Sequence, residues 1–221
     1  MFVTIVIPTY NRKKFENLIS YNINTQNYPF IKEVIIADDG LPDQALDLKI
    51  KYNISYHTIP RCTIGTKRNY LNSMCTTQYI VCMDTDDFYS KNYISNSIYS
   101  LIKSGRNIAG SAEMIMYQIS TGDYFYQRCL YLDMLNEATL VYTKKYADTH
   151  TFTNASSGEG ISFLRGNTHE IIETDIRDVM CCITHAGNTV NKSAWLTSTY
   201  SMSIPPTCYD VHLNILSNIN I

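Results

Sequence analysis

Asp84, Asp86 and Asp87 crowd into the heptapeptide MDTDDFY (83–89), directly after the apolar run YIVCM (79–83). Carboxylates this close raise one another's pKa and cost stability unless a cation or hydrogen-bond donors compensate. Oxygen ligands suit Mg²⁺ or Mn²⁺, ions that typically bridge one or two carboxylates to phosphate oxygens. A solvated acidic turn is the alternative. Two more polar clusters close apolar runs: PTYNR (8–12) follows VTIVIP, and DDG (38–40) follows EVIIA. Taken singly, Asp38-Asp39-Gly40 reads as a plain turn and Asn11 as a helix cap. Taken together, the three clusters describe a nucleotide site with a hard cation. The absence of G-x-G-x-x-G and of G-x-x-x-x-G-K-[ST] argues against a dinucleotide fold or a P-loop.

The elements that must position these groups are written in the apolar periodicity. VTIVIP (3–8) and EVIIA (33–37) are short β-branched runs of the kind that form strands buried on both faces. Between them Phe15, Leu18, Ile19 and Ile23 mark one face of a helix. ISYHTI (54–59) and YIVCM (79–83) are further strands, the latter reached through a helix that begins near Gly65 with Leu71 and Met74 inward. Ile94, Ile98, Leu101 and Ile102 recur at helical spacing after the acidic turn. This alternation predicts an α/β fold with a mostly parallel central sheet flanked by helices. In such sheets ligands bind outside the carboxyl ends of the strands, where all three polar clusters fall. Past Gly105 the pattern changes: NIAGSAEMIMYQI, DYFYQRCLYL, ATLVYT and VMCCITH read as strands of a mixed second half that continues the same sheet.

The 221 residues suffice for one well-buried domain, and 45% hydrophobic with 17% charged residues is ordinary for a soluble protein. A net charge of −2 excludes a general nucleic-acid or polybasic membrane binder. No apolar run approaches the ~20 residues that span a bilayer, and the start MFVTIVIPTYNR lacks the features of a signal peptide. The expectation is a soluble, cytoplasmic protein. Seven scattered cysteines without a C-x-x-C pair fit buried thiols better than zinc ligands or a disulfide framework.

VTIVIPTYNR, IIADDG, GTKRN and MDTDDFY, in that order, resemble the four landmarks of family 2 glycosyltransferases with the GT-A fold, a Rossmann-like single domain. The resemblance covers roughly the first hundred residues. It implies a nucleotide-sugar-binding half (1–105), an acceptor-binding half (106–221), and a metal-dependent, inverting transfer from a nucleotide-diphosphate sugar, expected to be a UDP-sugar, to a glycan, protein or small-molecule hydroxyl. By that similarity Thr9 and Asp39 would contact the base, with Tyr10, Asn11 and Asp38 in the same loops, and Arg68 would line the nucleotide pocket. Asp84 and Asp86 would contact the ribose or the metal. Asp87 is the other metal candidate, since TDD allows either register. In NASSGEGISFLRG (154–166) Gly160 stands where members of the family carry the Asp of an E-D pair, which leaves Glu159 as the expected base or as a helix cap. CCITHAGNTV (181–190) resembles a loop in which His185 would complete the shell of Mn²⁺ or Mg²⁺ or contact the phosphates, with Asn188 and Thr189 shaping it. Trp195 would stack on a sugar or pack in the core. Two other classes compete. A sugar-1-phosphate nucleotidyltransferase would carry a Gly-rich basic N-terminal loop that PTYNRKKF lacks; a non-catalytic nucleotide-sugar or glycan-binding module is favoured by Gly160.

Overall fold

A computed structural model describes residues 1–129, 131, 133–188 and 202–203. The first strand, β1 (Val3–Thr9), is buried almost end to end, and its alternate residues serve two different cores. Val3, Ile5 and Ile7 face one cluster and Val6 faces the other, so a continuous apolar run is required where an amphipathic strand would repeat every second residue. β2 (Ile31–Asp38), β3 (Asn53–Thr58) and β4 (Tyr79–Cys82) join β1 in parallel, in the order β4-β1-β2-β3. Two helices cross between them. α1 (Glu16–Asn24) buries Leu18, Ile19 and Ile23 beneath Phe15, and α2 (Ile64–Met74) is capped by Thr63, whose hydroxyl accepts from Thr66 N–H.

Beyond the acidic turn, β5 (Phe88–Tyr89) leads into α3 (Tyr93–Ser104), which ends at Gly105 in the left-handed region (φ 66°). β6 (Ile108–Gly110), β7 (Glu113–Gln118), β8 (Asp123–Arg128) and β9 (Val141–Thr143) follow. The short helices α4 (Lys144–Ala147) and α5 (Ile161–Leu164) precede β10 (Ile171–Glu173), β11 (Met180–Thr184) and β12 (Met202–Ser203). β9 enters the main sheet antiparallel, between β4 and β6, giving the order β10-β6-β9-β4-β1-β2-β3.

Three expectations are corrected here. The second half does not simply continue the sheet: β7, β8 and β11, with β5 and β12, form a second sheet, and NIAGSAEMIMYQI is split between the two. Met74 ends α2 and Ile102 lies on α3, yet both are exposed. At about 100° per residue, α3 buries an arc from Tyr93 through Ser97, Leu101 and Ile94 to Ile98, and Ile102 lies past its edge.

Parallel pairing sets the functional edge. Thr9 lies opposite Asp38, and Val6 opposite Cys82, so the loops after β1, β2 and β4 emerge side by side. The first turn of α2 rests on a strap of residues 153–159, where Gly65 N–H donates to Ala155 C=O at 2.9 Å. A Cβ on Gly65 would sit 1.8 Å from Thr153 O and 3.1 Å from Glu159 Cβ. Gly65→Ala is therefore expected to cost about 3 kcal/mol or more, the upper end for overpacking. Urea denaturation checks this, and wild-type stability would show that the strap yields.

Candidate functional site

The loops after β1 and β4, the start of α2 and the 153–159 strap line a cavity of about 430 Å³, with the loop after β2 behind its wall. Thr9, Tyr10, Arg68, Asp84, Asp86, Asp87 and Glu159 line it, so seven of the residues expected from sequence converge. Asn11, Asp38, Asp39 and His185 stand behind that wall. Asn11 (φ 52°) turns its Oδ1 to Leu41 N–H, and Asp38 accepts from Gly40 N–H and Tyr56 hydroxyl. Burial and that hydrogen bond push the Tyr56 pKa up to about 12.

Asp39 is held by three donors. Lys67 Nζ donates to its Oδ1 at 2.5 Å and to Thr9 C=O at 2.9 Å, while Arg61 and Cys62 N–H donate to Oδ2 at 2.8 and 3.0 Å. Burial pushes the Asp39 carboxyl up, but these donors outweigh it and hold its pKa below the usual carboxylate value. Its side chain has no exposed surface, so in this arrangement Asp39 shapes the wall through its partners. Arg61 stacks 3.6 Å above the Tyr10 ring, presenting a flat cationic face. Thr9 Oγ1 is buried without a hydrogen-bond partner among the described residues.

Arg68 sits at the centre, 2% exposed. Nη2 donates to Asp84 Oδ1 at 3.1 Å and Nε to Glu159 Oε1 at 3.2 Å, while Nη1 is buried without a partner among the described residues. Burial works against its charge, but Asp84, with Glu159 and Glu137 behind it, keeps the guanidinium protonated.

The acidic turn itself divides its labour. Asp87 accepts from Ile183 N–H at 3.0 Å, and its carbonyl accepts from Asn22 Nδ2 at 2.8 Å, so it ties the turn to β11 and α1. Asp86 Oδ2 meets Arg12 Nη2 at 3.3 Å, His185 Nε2 at 3.0 Å and Asn188 Nδ2 at 3.4 Å. Gly187 N–H donates to His185 Nδ1 at 3.0 Å, which leaves the ring hydrogen of the neutral imidazole on Nε2. So disposed, His185 donates to Asp86 through Nε2. Asn188 also accepts from His185 N–H at 2.7 Å and so does shape that loop. Thr189 and Trp195 lie outside the described residues, as does Cys208.

Among the described residues no three His, Cys, Asp or Glu side chains gather around a common point. Asp86, held by three partners, and the more exposed Asp84, beside a cavity rich in donors, fit a hard cation that arrives with phosphate oxygens of its own, as Mg²⁺ and Mn²⁺ usually do. They do not fit a closed metal cage.

Sequence reasoning missed Arg12, Asn22, Arg61, Lys67 and Glu137. Lys67 sits inside GTKRN and Arg12 inside PTYNR, both motifs already noted, but their partners lie at sequence separations that no motif shows.

The family model Glycosyl transferase family 2 matches residues 4–157. An uncharacterised glycosyltransferase of Mycoplasma genitalium is 35% identical over 97 residues, 40% of this chain and 33% of the relative. Glycosyltransferase GlyA of Streptococcus pneumoniae is 23% identical over 139 residues, 57% of this chain and 20% of the relative. The chain thus spans a third or less of the length of these curated relatives. Among solved structures, Staphylococcus aureus TarS 1–349 in complex with UDP-GlcNAc superimposes with a TM-score of 0.59 at 16% identity, covering all of this chain and 68% of that one. Mannosyltransferase PcManGT from Pyrobaculum calidifontis, in complex with GDP-Man and Mn²⁺, gives 0.55 at 16% identity, covering 87% and 59%. These likenesses establish the fold as GT-A.

The Asp39–Lys67 pair generates a stability prediction. Lys67→Met would leave a buried carboxylate with only Arg61 and one N–H. The expected loss is about 3 kcal/mol at neutral pH, the lower end for breaking a buried pair. Because the Asp39 pKa is depressed, its contribution is present above the ordinary carboxylate pKa and fades as pH falls through the depressed one. The deficit should therefore shrink in acid, and a pH-independent deficit in urea titrations would refute the assignment.

Proposed function

The chain belongs to glycosyl transferase family 2, and from that premise we propose that it transfers a sugar from a nucleotide-diphosphate sugar to a hydroxyl acceptor, with inversion and with a divalent cation. The observation that carries this reading is the convergence of Tyr10, Arg68, Asp84 and Asp86 on one cavity at the carboxyl ends of the parallel strands. A UDP-sugar is the proposed donor, in keeping with the TarS complex with UDP-GlcNAc.

The proposed roles follow from exposure and partners. Tyr10 and Arg61 offer a stacked face for the base, with Thr9 Oγ1 as an unspent hydrogen-bonding group beside it. Asp84, its side chain 29% exposed and steadied by Arg68, takes a ribose hydroxyl. Arg68 Nη1 is a charged donor without a partner among the described residues, suited to a diphosphate oxygen. Asp86 would hold Mn²⁺ or Mg²⁺, with His185 and Asn188 fixing the carboxylate's orientation. When bound, the cation would offset charge growing on the departing diphosphate. Arg12 shares Asp86 and offsets its charge. The acceptor enters from the second half, past Met114, Met134 and Leu135. Within the described residues no helix is long and apolar enough to cross a membrane.

A nucleotide-sugar-binding module without catalysis is the second reading, and Gly160 favours it.

Calorimetry with UDP is the test. Affinity should fall at least about tenfold, or roughly 1.4 kcal/mol, when EDTA replaces Mn²⁺. Asp86→Ala should lose that metal-dependent part while keeping its fold. Equal UDP affinity with and without metal would sink the proposed role of Asp86.

A further inference from the structure

Gly160 leaves this chain without a carboxylate at the position where the family resemblance places one, yet the space beside it is not empty. A Cβ built on Gly160 would lie 2.7 Å from Glu137 Oε1, 2.8 Å from its Cγ and 3.1 Å from its Cδ. Glu137 comes from the turn Glu137–Thr139 that leads into β9, 23 residues away in sequence, and its Oε1 accepts from Gly160 N–H at 3.0 Å. A side chain at 160 would push the Glu137 carboxylate, the end of a flexible side chain, out of this position. The glycine is what lets Glu137 in.

We propose that Glu137, and not Glu159, is the general base of the transfer, delivering from the β9 turn the carboxylate that residue 160 lacks. This rests on the transferase reading above. Both glutamates line the cavity, but they are held differently. Glu159 is 5% exposed and has an oxygen on Arg68 Nε. Glu137 keeps part of its surface open to the cavity, and the hydrogen bond that anchors it comes from a neutral backbone N–H. Its neighbours along the cavity wall are Met134, Leu135, Asn136 and Ala138 on one side, and Ser157 and Gly158 on the other.

The chemistry balances without a further reactant. The acceptor hydroxyl loses its proton to the Glu137 carboxylate as its oxygen bonds to the anomeric carbon. The bond from that carbon to the diphosphate oxygen breaks, and its electron pair leaves with the nucleoside diphosphate. Asp84, Glu137 and Glu159 all share the field of one guanidinium, Arg68, so one carboxylate is under-compensated. Burial first, and then the charge of Glu159, hold the Glu137 pKa above the usual carboxylate range, against the pull of Arg68 and of its backbone donors. A base so tuned sits closer to neutral operating pH. Among the described residues, Glu159 and Arg68 are the charged groups that face it.

The experiment measures nucleotide release from UDP-GlcNAc, UDP-glucose and GDP-mannose with Mn²⁺, water serving as acceptor, alongside UDP calorimetry and thermal unfolding. Glu137→Gln keeps shape and the acceptor for Gly160 N–H, so UDP affinity and folding should be retained. Turnover should fall by about 10²-fold or more, the usual scale of general-base catalysis, and its rising limb with pH should vanish. The second variant moves the carboxylate. Gly160 has ordinary helical backbone angles (φ −72°, ψ −11°) that Asp accepts. Glu137→Ala combined with Gly160→Asp should therefore recover at least about tenfold over Glu137→Ala alone, whereas Gly160→Asp alone should clash with Glu137 and lose activity. Wild-type turnover in Glu137→Gln, loss of UDP binding together with turnover, or a double variant no better than Glu137→Ala would each overturn the assignment. A wild-type protein that neither binds UDP nor turns over any donor would instead remove the transferase reading, and the base with it.

Discussion

The charge of Arg68, on a side chain only 2% exposed, is the constraint around which this site is built. A buried charge is tolerated only when it is paired and hydrogen-bonded. Arg68 therefore dictates where carboxylates must stand: Asp84 from the turn after β4 and Glu159 from the strap that crosses the start of α2. One residue thus binds a helix, a strand end and a distant loop into a single wall. The second ion pair of the same helix, Lys67 with Asp39, does likewise for the loops after β1 and β2. Successive positions of α2 hence lock all three polar loops. Gly65 at its first turn allows the strap to approach closely enough for Glu159 to reach.

The pairing leaves a pattern of spent and unspent groups, and the unspent ones describe a ligand. Thr9 Oγ1 and Arg68 Nη1 are buried without partners among the described residues, and Asp84 keeps part of its carboxylate open. A buried donor left unsatisfied costs stability of about 1–3 kcal/mol, more if charged. Such groups are retained where a ligand satisfies them. Asp86 is oriented by His185 and Asn188 and faces the same space, which gives a flat cationic face, hydrogen-bonding groups and an oriented carboxylate in one cavity.

Much of the first hundred residues was legible because short-range patterns encode it. Continuous β-branched runs gave β1, β2 and β4, and the spacing of Phe15, Leu18, Ile19 and Ile23 gave the inner face of α1. The polar loops could be placed because parallel pairing brings successive strand ends to one edge. What failed was pairwise and long-range. Apolar strands of the second half carry no mark of which sheet they enter, so nothing in their sequence sends β7, β8 and β11 to the second sheet. Asp86 and Asp87 are indistinguishable as TDD; they differ because Ile183, almost a hundred residues later, donates to one of them. Glu137 lies in a stretch with no motif, and only the space above Gly160 reveals it. His185 stands out in the sequence, but its contact with Asp86 depends on a backbone N–H two residues away.

The central claim is spatial: the nucleotide lies at the carboxyl ends of β1, β2 and β4 and is met there by the groups that the Arg68 and Lys67 pairs leave free. A crystal structure with UDP and Mn²⁺ tests it most directly. The account predicts the base against Tyr10 and Arg61, the ribose at Asp84, diphosphate oxygens at Arg68 Nη1, and the ion on Asp86. Uridine bound elsewhere, or an ion with no contact to Asp86, would contradict it.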